Sequence, residues 1–123
     1  MTPNLHGKRV LLVEDDALLL MSLEQMVTGF GCVVAGTAMN VKAALSLAER
    51  AAADLAVLDV NLQNQLVTPV AARLAQRGIP FLFATGYDAL IVADFPHRPV
   101  VRKPYTDLQI RDAMLSAVAP PQL

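Results

Sequence analysis

Short apolar runs rich in β-branched residues alternate along the chain with stretches whose apolar positions recur at helical spacing. Residues 8–13 form such a run, stop at acids, and predict a buried strand. Asp16 then reads as the N-cap of a helix through about residue 28, with Leu19, Leu20, Leu23, Met26 and Val27 near helical spacing and Gly29 and Gly31 as the stop. Residues 32–35 predict a second strand. Asn40 caps a second helix, in which Val41, Ala44, Leu45 and Ala48 share a face. Residues 54–60 predict a third strand, apolar except at its ends. The pattern repeats with a helix over 66–76 ending at Gly78 and a fourth strand over 79–84, rich in Ile and Phe. A short helical stretch over 87–94, closed by the turn-like residues 95–99, leads to a brief fifth strand at 100–101. The last helix covers 105–118 and ends before Pro120 and Pro121.

Strands and helices alternating at this pace imply right-handed βαβ crossovers and a parallel sheet covered on both faces. The fold class is therefore doubly wound α/β, built on a five-stranded parallel sheet. A length of 123 residues predicts one domain, with a core over about 8–118 and no output domain expected. An apolar fraction of 54% excludes intrinsic disorder. The 10 basic and 11 acidic residues give a net charge of −1, which supplies no general field for nucleic acid. One cysteine, Cys32, forms no internal disulfide and argues against a stapled secreted scaffold. No run approaches the ~20 apolar residues of a membrane span, and no secretory leader fits the amino terminus. Together these features predict a cytoplasmic protein.

Ligands of open α/β sheets bind beyond the carboxyl ends of the strands. There stand Glu14-Asp15-Asp16, Asp59-Val60-Asn61, Thr85-Gly86 and Arg102-Lys103-Pro104. Acids clustered at one edge repel one another, and an all-oxygen pocket suits a hard cation such as Mg²⁺ rather than zinc. With a lysine and a hydroxyl converging, the same pocket could accept a phosphoryl group.

In this distributed pattern the chain resembles the receiver domain of two-component response regulators, from about Lys8 to Val118. Residues 83–87 (Phe-Ala-Thr-Gly-Tyr) also resemble the "FAT GUY" subgroup of stand-alone receivers. The resemblance implies a flavodoxin-like (βα)5 fold. It implies Asp59 as acceptor of a phosphoryl group from a histidine kinase or phosphotransfer protein. Glu14 and Asp15 would hold Mg²⁺ together with Asp59 and the Asn61 backbone carbonyl. Thr85 would be the switch hydroxyl, Lys103 the group that grips the phosphoryl, and Lys103–Pro104 a cis peptide. The implied activity is self-modification rather than enzymatic turnover. Output would pass to a downstream protein or a homodimer through the fourth-helix, fifth-strand, fifth-helix face, to which the apolar run 89–93 belongs, or the domain would drain a kinase as a phosphate sink. Neither nucleic acid nor membrane is an expected partner.

Two departures stand out. The stretch 62–69 lacks the Gly usual after the phosphoacceptor strand, which predicts a loop that is longer, more mobile or differently turned. Val100 occupies the position of the aromatic switch, three residues before Lys103, and Tyr87 is the candidate substitute. Other residues read more plainly. Asp16 is a cap, His6 and His97 are solvated, Cys32 is an inert buried thiol, and Arg98 and Arg102 are too few for a nucleic-acid footprint. The competing reading is a receiver-like binding module that works without phosphorylation. A phosphohydrolase of the haloacid-dehalogenase kind fits less well, since Asn61 stands where that chemistry has its second aspartate.

Overall fold

The computed structural model describes residues 4–86 and 94–119. In chain order the elements are β1 (Arg9–Val13), α1 (Ala17–Gly29), β2 (Val33–Ala38), α2 (Val41–Arg50), β3 (Leu55–Asp59), β4 (Asn61–Leu62), β5 (Gln65–Leu66), α3 (Thr68–Gln76), β6 (Phe81–Thr85), β7 (Val100–Arg102) and α4 (Asp107–Val118). Five strands form one parallel sheet in the order β2-β1-β3-β6-β7. This is the doubly wound, flavodoxin-like arrangement the sequence pattern predicts. The chain leaves β1 toward one edge and returns on its other side, so the strand order reverses between β1 and β3. Such a reversal opens a crevice at the carboxyl ends of those two strands.

Period-2 alternation sorts the side chains of the central strands onto two faces. On one face Leu11, Val13, Ala56, Leu58, Phe81 and Phe83 meet Ala44 and Ala48 of α2 and Val70, Ala71 and Leu74 of α3. On the other, Val10, Leu12, Leu55, Val57, Leu82 and Ala84 meet Leu20, Leu23 and Val27 of α1 and Ile110 and Met114 of α4. The β1, β3 and β6 side chains from Val10 onward are buried on both faces, which explains why these strands read as continuous apolar runs.

Element boundaries differ from expectation in instructive places. β2 begins after Cys32 and continues to Ala38, paired with β1 through Val13↔Ala38. Its Gly36 admits a helix: a Cβ there would lie 2.9 Å from a Leu47 methyl of α2. α1 runs to Gly29, and the left-handed turn falls on Gly31, at φ 90°. The last helix starts at Asp107, where Thr106 and Gln109 form a reciprocal capping box. Cys32 is buried and its thiol donates to the Leu5 carbonyl.

The loop after β3 is differently turned. Residues 61–66 fold into an antiparallel hairpin with Asn61↔Leu66 and Leu62↔Gln65 paired, so the third helix starts at Thr68 rather than 66. The hairpin's central residues, Gln63 and Asn64, have φ of 51° and 67°. Two residues with positive φ twist as paired strands require, and the turn usually takes glycine or asparagine. The predicted helix over 87–94, with Tyr87 and the apolar run 89–93, falls almost entirely outside the described residues. Among the described residues, no helix is long and apolar enough to cross a membrane.

Candidate functional site

The loops after β1 and β3, together with residue 103 beyond β7, converge on one open pocket of about 460 Å³ lined by Glu14, Asp15, Asp59, Asn61, Gln63 and Lys103, among others. Each acidic residue arrives there for a local reason. Glu14 is the first residue after β1, and its amide extends the sheet by donating to the Ala38 carbonyl. Asp16, two residues on, accepts from the amides of Leu18 and Leu19 and caps α1, which fixes the short connection carrying Asp15. Asp59 ends β3, paired with Ala84 of β6. Lys103 follows β7, and its amide donates to the Thr85 carbonyl. The Lys103–Pro104 peptide is cis.

Ligand oxygens of Glu14, Asp15 and Asp59 lie within 4.8 Å of one another. Lys103 bridges two of these acids, its Nζ 2.5 Å from Glu14 Oε1 and 3.1 Å from Asp59 Oδ2. The remaining oxygens accept main-chain donors: Glu14 Oε2 from Asp16 N–H, and Asp59 Oδ1 from Asn61 N–H. Asp15 is held by the hairpin, its Oδ2 accepting from Gln63 N–H at 2.9 Å.

Glu14 and Asp59 are buried, at 2% and 7% exposure. Burial pushes the Glu14 carboxyl up to about 7, opposed by the hydrogen bond from Lys103 and reinforced by Asp59. For Lys103, burial works against the charged form, yet the bonds to Glu14 and Asp59 hold its ammonium above the ordinary lysine range. Burial raises Asp15, but the Gln63 amide and its other partners outweigh that and leave its carboxyl below the usual range. Perturbed acids gathered in one cleft in this way mark a candidate functional site.

Thr85 ends β6 in register with Arg102 and is buried at the carboxyl edge of the sheet. Asn61 lies in β4 and is exposed, with its side-chain oxygen accepting from Asn64 N–H. Val100 opens β7, 40% exposed. Tyr87, the proposed substitute for an aromatic there, is outside the described residues.

Among the described residues, sequence reasoning missed Gln63 and Asn64 of the hairpin turn, Leu19 and Tyr105. Gln63 reaches the site through its main chain, which leaves no trace in residue type. Leu19 lines the pocket from the first turn of α1, although its spacing reads as core. For Tyr105, burial raises the phenol, with Glu14 and then Asp59 adding to the rise and Lys103 opposing it. Its position two residues beyond Lys103 was the available signal.

The donor set is three hard carboxylates with a backbone turn beside them, which fits a divalent cation that keeps several waters. Comparison with known proteins identifies the family. The model of the response regulator receiver domain matches residues 10–114. Over 81 residues the chain is 32% identical to the transcriptional regulatory protein PdtaR of Mycobacterium tuberculosis, a match covering 65% of this chain and 40% of that protein's length. The solution structure of SdrG from Sphingomonas melonis Fr1 is similar with a TM-score of 0.81 and 38% identity, covering 92% of this chain and 98% of that one. The receiver domain of Erythrobacter litoralis PhyR gives a TM-score of 0.78 at 27% identity, over 96% and 98% of the two chains.

Proposed function

The chain belongs to the response regulator receiver domain family, and from that premise we propose that it takes a phosphoryl group onto Asp59 from a phosphohistidine of a kinase or phosphotransfer protein. The observation that carries this reading is the Lys103 bridge. One ammonium holds Glu14 and Asp59 in the pocket wall, with Asp15 alongside. Glu14, Asp15, Asp59 and the Asn61 carbonyl are the ligands we assign to Mg²⁺, which when bound supplies positive charge to phosphoryl oxygens.

In the step itself, an Asp59 carboxylate oxygen forms the new P–O bond as the P–N bond of the phosphohistidine breaks. The electron pair leaves with the imidazole. Lys103, already 3.1 Å from Asp59 Oδ2, transfers its contact to a phosphoryl oxygen, and the Thr85 hydroxyl donates to another. Hydrolysis of the acyl phosphate resets the domain, so the chemistry is self-modification rather than turnover of a substrate.

The surroundings support a protein donor. Leu18 and Met21 of α1 are 77% and 57% exposed, beside pocket-lining Leu19. This apolar flank suits a helix that presents a histidine to Asp59. On the output side, Val100 of β7 and Leu108 of α4 are exposed apolar residues, suited to a downstream protein or a second copy. Within the family we assign the chain to the "FAT GUY" subgroup on residues 83–87, acting as a stand-alone relay or phosphate sink in the cytoplasm.

Incubation with a small acyl-phosphate donor and Mg²⁺, followed by intact-mass measurement, should show one added phosphoryl group. Asp59→Asn should abolish it. An unmodified wild-type protein under these conditions would instead favour a binding module that works by contact alone, a reading to which Val100 in the aromatic position lends some weight.

A further inference from the structure

Apart from the Asn61 carbonyl, the hairpin over 61–66 has no role in the reading above, yet its turn makes a direct contact with the acid cluster. Its turn places two residues that are not glycine, Gln63 and Asn64, at positive φ. Backbone in that region is retained where the surrounding structure over-determines it, commonly at ligand clamps. Three interactions do so here. Leu62 is fully buried beneath the hairpin. Asn64 N–H is tied back to Asn61 Oδ1 at 3.0 Å. Gln63 N–H donates to Asp15 Oδ2 at 2.9 Å, across 48 residues of sequence.

We propose that the Gln63–Asn64 turn is a positioning element for the divalent cation, holding the Asp15 carboxylate in place through the Gln63 main-chain N–H. This rests on the cation site assigned above and deepens it. The physical argument concerns what kind of donor orients each acid. Lys103 pairs with Glu14 and Asp59, and an ammonium both orients a carboxylate and neutralises it, in competition with a cation. A neutral amide orients without cancelling charge. Asp15 is therefore fixed in place and keeps its full negative charge for the ion, as outer partners of metal ligands generally do. The conformation of Gln63, rather than its side chain, carries the effect.

The test uses one substitution that removes the turn together with its N–H and one that spares both. Gln63→Pro removes the donor and, with φ fixed at about −65°, also the positive-φ conformation, while extended Leu62 accommodates a following proline. Gln63→Gly keeps the donor and suits positive φ. Calorimetric titration with MgCl₂ should give Gln63→Pro an affinity about 10-fold weaker than wild type, and Gln63→Gly an affinity within about twofold of it. Equal affinities for wild type and a folded Gln63→Pro would overturn the proposal. If that variant does not fold, amide exchange on other variants decides. Asp15→Ala should deprotect the Gln63 amide while leaving the Asn64 amide unchanged, and an unaltered Gln63 amide would overturn the proposal equally. A wild-type protein that takes up neither Mg²⁺ nor phosphoryl refutes the underlying assignment instead, a result separable from both.

Discussion

Lys103 is the residue on which the site's electrostatics turn. It offsets two carboxylates that are themselves almost without solvent, Glu14 and Asp59. Removing one partner of such an arrangement leaves buried charge uncompensated, a loss in the range of 3–5 kcal/mol. Glu14 relieves part of it, because a carboxyl pushed up to about 7 takes a proton readily near neutrality. Lys103→Met should therefore lower unfolding free energy by about 3 kcal/mol in a urea titration without divalent cation. A change under about 1 kcal/mol would mean that the pair is as weak as a solvent-screened one. The residues that form this cluster were readable in the sequence because each stands at the end of an apolar strand run, and parallel strands bring such ends to one edge. The Gln63 amide was not readable. A main-chain donor has no residue-type signature, and Asn64, without a Gly beside it, was the one weak sign of positive φ in the turn.

At the scale of elements, the opposite end of the sheet is stapled by Arg9 and Asp54. The Arg9 amide and Nε both donate to Asp54 Oδ2 and Nη2 donates to Oδ1, while Asp54 N–H donates to the Arg9 carbonyl. The staple fixes where β3 begins relative to β1. Hydrogen bonds from the Arg9 side chain and backbone hold the Asp54 carboxyl below its ordinary range. The sign follows from linkage. A carboxyl more acidic in the folded than in the unfolded chain contributes stability above the unfolded value, near pH 4, and loses it as pH falls through the folded value. Thermal melts from pH 6 to pH 3 should show a smaller decline for Asp54→Asn than for wild type, with the variant slightly less stable at pH 6. Parallel declines would rule the staple out as a contributor. Most elements were legible from periodicity because their apolar faces are unbroken, as in β1, β3 and β6. The exceptions share a cause: the extension of β2 to Ala38 and the hairpin at 61–66 are set by packing and pairing with distant residues, which local pattern does not encode.

At the scale of the molecule, the sheet separates two apolar clusters that, among the described residues, have no member in common. Leu74 in α3 and Met114 in α4 are each fully buried, one on either side. Leu74→Ala and Met114→Ala should each cost 2–5 kcal/mol. Because the strands stand between them, the double variant should equal their sum within about 0.5 kcal/mol, measured by chemical denaturation. A larger coupling would show that strain passes through the sheet.

That partition bears on how such a protein can diverge. A lineage acquiring a new binding partner can rewrite the helices on one flank while the opposite flank is inherited intact, because neither side's repairs depend on the other's. What every descendant must keep is the seam where both flanks meet, at the ends of β1 and β3.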